Sequence, residues 1–196
     1  DMAELKLPVD EEKIRSLRVG DFVELTGRMI TGRDAAHKWL IEEYREDVAP
    51  FMENSVIYHC GPVVSQNDDG TYDFVAAGPT TSIREEPYQA DVIGRYGLRG
   101  VIGKGGMAGK TLAGLGEHGA VYLHAVGGAA QVLARAIPRV ERVFMLDEFG
   151  VPEALWVSEV DHFPGMVTMD SHGGSLHDEV EAYSQAKLKE LLGLSA

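Results

Sequence analysis

The chain has 196 residues, of which 44% are hydrophobic and 25% are charged, values typical of a soluble globular protein with a sizeable core. Its formal net charge of −13 argues against nucleic-acid binding, because phosphate groups require a basic protein surface. The same negative charge disfavours binding to anionic membrane surfaces. We therefore expect neither nucleic acid nor a membrane among its partners.

The single cysteine, Cys60, excludes an internal disulfide, and it excludes any metal or iron–sulfur site that this chain alone would build from cysteines. We expect Cys60 to be a small core residue. The sequence has no run of eighteen apolar residues, and its start, DMAELKLPVDEEK, lacks the shape of a signal peptide. A reducing cytoplasm is the expected compartment.

The beginning of the chain predicts strands and a helix. Residues 1–20 are charged, carry no motif and are a candidate N-terminal extension, within which Glu4–Val9 predicts an edge strand. Asp21–Gly27 alternates polar and apolar residues and predicts a strand closed by glycine. A helix should follow, capped by Thr31 or Asp34.

Arg33 lies close to the start of this predicted helix. A cation gains nothing from the helix dipole there, because the N-terminus of a helix carries a partial positive charge. Beside unpaired N–H groups, the arginine indicates either an anion site or an arginine that is simply solvated.

Val56–His59 and Tyr72–Ala77 predict strands, and the Asp-Gly that closes Gln66–Gly70 favours a hairpin. The second strand leads into the segment GPTTSIR. Its three hydroxyls and its arginine would form an oxyanion cradle at a strand end, or Thr-Thr-Ser would cap a following helix. The side chains concerned are Thr80, Thr81, Ser82 and Arg84.

The glycine-rich centre of the sequence is Gly94–Gly119. It holds ten of the 23 glycines and, near its middle, Lys104 in Gly103–Gly106. Such density is explained by positive φ angles or by backbone that approaches a ligand. Five cations lie in or beside this stretch, whereas residues 46–83 contain none, so we expect a small anion as ligand. The five cations are Arg84, Arg95, Arg99, Lys104 and Lys110.

The rest of the chain predicts further strands and helices without a repeat or an evident linker, which indicates a single α/β domain. We expect a loop over Asp161–Ser175, with a short strand at Met166–Met169. The other predicted elements are a strand at Ala120–Ala125, a helix at Gly127–Ile137, strands at Val140–Leu146 and Ala154–Val160 around a turn at Asp147–Pro152, and a helix at Asp178–Leu192 capped by Gly193.

Two nucleotide-binding patterns are almost present. Gly109-Lys110-Thr111 resembles the end of a Walker A loop, but the required first glycine falls at Lys104. Gly103–Ala108 fits the G-x-G-x-x-A dinucleotide pattern, but it lies in the middle of the chain and no convincing acidic residue ends a following strand. Neither a nucleoside triphosphatase nor a dinucleotide enzyme is favoured.

The histidines do not form an H-x-x-x-H pair on a helix, and the chain has no G-x-S-x-G nucleophile elbow. Isolated surface or packing roles are therefore favoured over a metal site. The seven histidines are His37, His59, His118, His124, His162, His172 and His177.

Five segments in order resemble one family: TGRDAAHK, YHCGPVV, AAGPTTSIR, GVIGKGGM and DHFPGMVTMDSHG. They resemble the carboxy-terminal half of class I, iron–sulfur-dependent fumarases, a unit that is also the separate β subunit of two-subunit fumarases and L(+)-tartrate dehydratases. The resemblance extends from about Pro8 to Ala196. It implies a single swivelling β/β/α domain, in agreement with the mixed α/β prediction.

The resemblance also implies a division of labour between two subunits. An α subunit would carry three cysteines that hold a [4Fe–4S] cluster with one iron free for substrate, whereas this chain alone would bind no cofactor. The two chains would form a hetero-oligomer, in which β–β contacts are an option. This chain would bind a small dicarboxylate through Arg33 and Arg84, with Thr81 and Ser82 beside them.

In the same family pattern, Thr80 would be the base at carbon C3, and Lys104 would neutralise charge beside it. Two cationic clamps suit a four-carbon diacid, because a bidentate arginine fixes a carboxylate in position and in plane. Proton removal next to a carboxylate builds an aci-carboxylate dianion, which a preorganised cation stabilises. A threonine is a poor base, so Lys104 or a partner carboxylate would have to activate it.

The expected function is the β subunit of a hydro-lyase that reversibly hydrates fumarate to (S)-malate and is inactive without its α partner. The alternatives are an L(+)-tartrate dehydratase β subunit and a non-catalytic anion-binding or regulatory domain. The acidic pair Glu85-Glu86 departs from the family pattern, and it either alters substrate choice or faces solvent.

Overall fold

A computed structural model describes residues 2–126, 128 and 130–192, and these contain nine β-strands and eight α-helices. The strands are β1 (Ala3–Leu7), β2 (Phe22–Thr31), β3 (Val56–Tyr58), β4 (Val63–Gln66), β5 (Tyr72–Ala76), β6 (Gly100–Gly103), β7 (Val121–Ala125), β8 (Arg139–Phe144) and β9 (Leu155–Met169). The helices are α1 (Glu11–Arg15), α2 (Asp34–Glu42), α3 (Ala49–Met52), α4 (Glu86–Tyr96), α5 (Gly109–His118), α6 (Ala130–Arg135), α7 (Leu146–Phe149) and α8 (Leu176–Leu191).

Seven strands form one sheet in the order β1-β2-β3-β6-β7-β9-β8, and β4 and β5 form a separate hairpin. The neighbours β1, β2, β3, β6 and β7 are parallel, whereas β9 runs antiparallel to β7, β8 and β2. Because β2 also pairs with β9, the strands β2, β3, β6, β7 and β9 close into a ring. The carboxyl ends of its parallel strands lie at one edge.

Side chains alternate across this sheet and build two cores, one on each face. In β3, Val56 and Tyr58 belong to one core and Ile57 to the other. The first core is covered by the β4–β5 hairpin and α6, and the second by α2, α4 and α5. The expected single α/β domain with its β/β/α layers is confirmed.

The N-terminal segment contributes to the first core. The strand β1 (Ala3–Leu7) overlaps the edge strand predicted at Glu4–Val9, and it pairs with β2 at the edge of the sheet. Leu5, Ile14 and Leu17 are buried among the residues of that core. The side chains of this charged segment therefore divide by face, with the apolar ones inside.

The predicted loop is wrong over residues 161–165, which lie within β9, whereas the short strand predicted at Met166–Met169 is confirmed as the end of β9. Asp161 and His162 lie opposite the single residue Thr26 of β2, which makes a β-bulge. His162 has a φ of +50°, and its N–H donates to the Thr26 hydroxyl oxygen at 3.2 Å. The bulge bends β9 and lets its pairing with β2 continue.

The predicted helix caps are also wrong. Thr31 lies in β2, and its hydroxyl oxygen accepts from the N–H of Trp156 at 3.1 Å. Asp34 is the first residue of α2, and Arg33 occupies the N-cap position without a side-chain capping bond. Thr81 precedes a 3₁₀ turn, again without a capping bond, so its segment does not act as the simple helix cap.

The hairpin prediction is confirmed, although its first strand, β4, was not predicted. The predicted helix start at Gly127 and the predicted cap at Gly193 lie outside the described residues. Among the helices that the structure describes, none has both the length and the apolar character needed to cross a membrane.

We expect Gly27→Ala to lower the free energy of unfolding by about 2–5 kcal/mol, since steric overlap adds to the cost of a positive φ. Gly27 has a φ of +122°, and an added Cβ would overlap with the carbonyl oxygen of Leu7. The control is Gly20→Ala, where φ is +96° but no atom of the described residues lies within 4 Å of the added Cβ. Urea unfolding measures both variants, and equal losses would contradict the prediction.

Candidate functional site

The predicted site residues meet at the carboxyl edge of the parallel strands. Arg33 follows β2 and Lys104 follows β6. The segment around Thr80 inserts between the ends of β3 and β6. There, the N–H of Thr80 donates to the carbonyl of His59 at 2.8 Å. The N–H of Lys104 donates to the carbonyl of Thr80 at 3.3 Å, and that of Ser82 donates to the carbonyl of Lys104 at 3.0 Å. Such an edge is a common place for a ligand in α/β proteins.

Arg84 reaches from the 3₁₀ turn to the start of α2. Its Nε donates to Oδ2 of Asp34 at 3.1 Å, and its Nη2 lies 3.0 Å from the same oxygen. Asp34 directly follows Arg33, so the structure brings both predicted arginines to one helix end. Their roles toward a ligand stay predictions.

The guanidinium of Arg33 lies against Gly61 and the turn that precedes β9. A Cβ on Gly61 would lie 2.8 Å from Nη1 of Arg33 and 3.1 Å from the carbonyl oxygen of Pro152, so glycine leaves the necessary room. Oε1 of Glu153 lies 3.3 Å from Nε of Arg33, and its Oε2 accepts from the N–H of Ala35 at 3.3 Å. Glu153, which the sequence did not indicate, therefore balances Arg33 and caps α2.

The loop that carries Lys104 turns on two glycines, Gly105 with a φ of +83° and Gly106 with a φ of +72°. The side chains of Lys104 and Thr81 are exposed. Oγ1 of Thr80, by contrast, is buried and has no hydrogen-bond partner among the described residues. The exposed cation and the glycine backbone form a surface that can receive an anion, and the buried hydroxyl of Thr80 lies beside it as a proton-transfer group.

Behind these residues runs a buried chain of hydrogen bonds. Oε1 of Gln89 lies 2.9 Å from Nε2 of His37 and 2.6 Å from Nε2 of His59. Nδ1 of His37 lies 2.8 Å from the carbonyl oxygen of Arg33, and Nδ1 of His59 lies 2.7 Å from Oγ of Ser82. The prediction of isolated roles is therefore wrong for these two histidines.

Both histidine rings are neutral. Burial lowers the pKa of His59 to about 3, and burial also lowers the pKa of His37. A neutral His37 can donate to the Arg33 carbonyl only from Nδ1, so its Nε2 must accept. The amide of Gln89 satisfies both rings when it is rotated so that its nitrogen faces them, and we assign it that orientation. His59 then donates from Nδ1 to Ser82.

The chain of hydrogen bonds continues from Ser82 to the glycine loop. The Tyr122 hydroxyl donates to Oγ of Ser82 at 2.9 Å and accepts from the N–H of Gly106 at 3.3 Å. Gly103 makes room for this arrangement, since a Cβ there would overlap with Oγ of Ser82. The network thus ties the carboxyl ends of β2, β3 and β6 to Tyr122 near the start of β7. It also occupies the Ser82 side chain, whose contact with substrate stays a prediction.

The remaining cations of the sequence cluster have structural partners. The side chains of Arg95, Arg99 and Lys110 reach local carbonyls and acids rather than the carboxyl edge. Their partners include the carbonyl of Ile41 at 2.6 Å, Oδ1 of Asn54 at 2.9 Å and Oδ2 of Asp91 at 2.8 Å, respectively.

Glu86 caps α5. Its Oε2 accepts from the N–H of Ala108 at 2.9 Å and from the Thr111 hydroxyl at 2.6 Å, and its Oε1 accepts from the N–H of Thr111 at 3.1 Å. Thr111, the threonine of the Walker-like pattern, therefore donates both its N–H and its hydroxyl group to the helix cap. Glu85 is 1% exposed, so the second of the two alternatives for the acidic pair, that it faces solvent, is wrong for Glu85.

Comparison with known proteins gives one consistent family. The model of the family described as Fumarase C-terminus matches residues 2–180. A Geobacillus stearothermophilus protein provisionally named fumarate hydratase class I is 52% identical over 95% of this chain, which spans 35% of that relative. A Methanocaldococcus jannaschii protein provisionally named L(+)-tartrate dehydratase subunit beta is 41% identical over 94% of this chain and 95% of the relative. The L(+)-tartrate dehydratase subunit beta of Escherichia coli is 36% identical over 88% of this chain and 85% of the relative.

We expect Gln89→Leu to lower the free energy of unfolding by about 2–4 kcal/mol, because two buried ring nitrogens lose their partner at about 1–3 kcal/mol each. Gln185→Leu, on the exposed face of α8, is the matched control and should change stability by less than about 0.5 kcal/mol. Denaturant unfolding of the chain followed by circular dichroism measures both. Similar losses of unfolding free energy in the two variants would show that the buried network does not stabilise the fold more than an exposed glutamine does.

Proposed function

The chain belongs to the Fumarase C-terminus family, and on this premise we propose that it is the β subunit of a two-subunit iron–sulfur hydro-lyase that reversibly hydrates fumarate to (S)-malate. The observation that supports the proposal is the meeting of Arg33, Arg84 and Lys104 with the unpartnered hydroxyl of Thr80 at one edge of an acidic chain. A local cluster of cations on an otherwise acidic chain provides a suitable binding site for a small dicarboxylate dianion.

In the proposed complex, Arg33 and Arg84 each hold one carboxylate of the diacid. Each arginine already has a protein carboxylate nearby, from Glu153 and Asp34, respectively. A guanidinium has five N–H donors, so one such partner orients the group and leaves other donors for substrate. The two protein carboxylates thus preorganise the arginines before the diacid arrives.

Thr80 and Lys104 are the proposed groups at the reacting carbon. In the dehydration direction, Thr80 takes the proton from C3 of malate, and hydroxide then leaves C2 as the C2–C3 double bond forms. The exposed ammonium of Lys104 balances the dianion that forms between these events. It would also favour the ionised form of Thr80, which a threonine needs in order to act as a base.

The residues of this chain do not fit a cluster of their own. Across residues 2–126, 128 and 130–192, no group of three or more His, Cys, Asp or Glu side chains is arranged to hold a metal ion. Burial raises the pKa of the Cys60 thiol to about 12, which disfavours the thiolate that a metal requires. We therefore assign the [4Fe–4S] cluster to three cysteines of an α subunit, where its free iron would supply a Lewis acid for the hydroxyl group.

An L(+)-tartrate dehydratase β subunit is the second candidate. Two relatives of comparable length carry that name, whereas the relative named for fumarate is much longer than this chain. Both substrates are four-carbon diacids, so the two arginines serve either one. A substrate panel with the reconstituted complex separates them by kcat/KM.

We expect the purified chain, treated anaerobically with iron and sulfide, to have no hydratase activity until a cysteine-bearing α partner is added. The reason is that the chain supplies only the carboxylate and proton-transfer groups of the proposed site. Fumarate hydration is followed by its ultraviolet absorbance. Full activity without the partner would contradict the two-subunit proposal, and tight diacid binding without activity in any complex would favour the non-catalytic alternative.

In the complex, we expect Arg84→Ala to lower kcat/KM by about 10- to 150-fold, the loss of one charged hydrogen-bonded contact. Lys104→Ala should lower kcat by about 100- to 1,000-fold, as expected for a group that stabilises developing charge. Lys110→Ala removes a cation bound to Asp91 instead, and it should stay within about twofold of the unmodified chain. Near-normal rates for the first two variants would refute the site assignment.

A further inference from the structure

A pair of carboxyl side chains lies directly beneath Arg84. Asp34 accepts from Nε of Arg84 at 3.1 Å, and the side chain of Glu85 lies beside that of Asp34. The side chain of Arg84 is 61% exposed, whereas Glu85 is 1% exposed. The three groups therefore connect the surface of the candidate site with the interior.

Charged and titratable groups face Glu85 from the elements packed around it. Nδ1 of His59, after β3, lies 3.9 Å from Oε2 of Glu85. Arg33 and Asp34 bring one positive and one negative charge from the start of α2, and Tyr122 of β7 is close enough for Glu85 to raise its pKa. His59 and Tyr122 are uncharged at neutral pH, so the charges that act on Glu85 are those of Arg33 and Asp34.

Two carboxyl groups can hydrogen-bond to each other only when one carries a proton. Oδ1 of Asp34 and Oε2 of Glu85 are both buried, and neither accepts a hydrogen bond from an N–H or hydroxyl group of the described residues. Burial first, and then Asp34, raise the pKa of Glu85 to about 8. Burial opposes ionisation of Asp34, but its hydrogen bond with Glu85 and the charge of Arg84 outweigh that effect and lower the pKa of Asp34. The proton therefore lies on Glu85.

We propose that Glu85 is a positioning residue, whose carboxyl group donates a proton to a hydrogen bond with Asp34, so that Asp34 fixes the guanidinium of Arg84 at the rim of the site. The consequence for a diacid rests on the function proposed above, whereas the shared proton does not. When Glu85 loses this proton, two adjacent carboxylates repel each other and compete for Arg84. A negative charge is also added beside an anion site, so diacid binding weakens in alkaline solution.

The shared proton is tested on the isolated chain by thermal unfolding between about pH 5 and about pH 9. Since the pKa of Glu85 is raised in the folded state, its stabilising contribution is complete below the ordinary value of 4.5 and is lost as the pH rises through about 8. Across this window, the Tm of the unmodified chain should fall by about 5 °C relative to Glu85→Gln, which keeps a donor to Asp34 and does not titrate.

Glu12→Gln is the control for this measurement, because Glu12 is an exposed residue of α1. Its Tm should run parallel to that of the unmodified chain. A difference that is specific to Glu85→Gln supports the shared proton. Parallel curves for Glu85→Gln and the unmodified chain overturn it, whatever the chain does in catalysis.

The positioning role is tested in the complex with the α partner, by measuring KM and kcat for fumarate at increasing pH. Above about pH 8, KM of the unmodified complex should rise by up to about tenfold per pH unit while kcat changes little. Glu85→Leu, which fills the space but donates nothing, should raise KM already at neutral pH. Glu85→Gln should restore the neutral value and remove the alkaline rise.

The outcomes of the two tests separate the two proposals. An alkaline rise in KM that Glu85→Gln retains would overturn the positioning role, and so would a defect confined to kcat. A complex without activity toward any diacid would refute the proposed function, whereas the pH dependence of Tm would still decide whether Glu85 shares its proton with Asp34.

Discussion

The carboxyl edge of this protein depends on one constraint, namely that polar groups without access to water must find partners. Gln89 and His59 lie at the centre of the chain of hydrogen bonds that meets this constraint. From there, the chain reaches the start of α2 through His37 and the glycine loop through Tyr122. Side chains from separate parts of the sequence thereby hold the candidate site in one arrangement, without themselves having to contact a ligand.

Charge at this edge is balanced locally rather than by the whole chain. The protein has a net charge of −13, yet the site gathers two arginines and a lysine. Arg33 and Arg84 are each paired with a carboxylate, whereas the side chain of Lys104 is exposed at the same edge. Pairing fixes the direction of a guanidinium and leaves part of it for another anion, so an acidic protein can present a cationic site. The buried acid Glu85 is part of this local charge balance. When it is protonated, Asp34 has no negative neighbour, and when it is ionised, Asp34 has one.

Several elements were predictable because their signals are local. The buried strand β7 is a short apolar run, the Asp-Gly dipeptide marks the β4–β5 hairpin, and Cys60 is buried in the core as expected. Strands were predicted at the two ends of β9, but its continuity was not predictable in the same way. Its middle contains Pro164 and Gly165, which ordinarily interrupt strands, but pairing with β2 and β7 and a bulge at His162 override that preference.

The sequence by itself determined the fold class, the family resemblance, and the candidates Arg33, Thr80, Arg84 and Lys104, because residue type and short spacing carry that information. Only the tertiary structure decided which groups surround them. Glu153 reaches Arg33 across more than a hundred residues of chain, and Gln89 joins two histidines that look isolated in the sequence. Such contacts depend on how strands and helices pack, so no local pattern announces them. Burial also gives Glu85 and Glu86, which are adjacent and chemically identical in the sequence, two different tasks: one holds a proton and the other caps a helix.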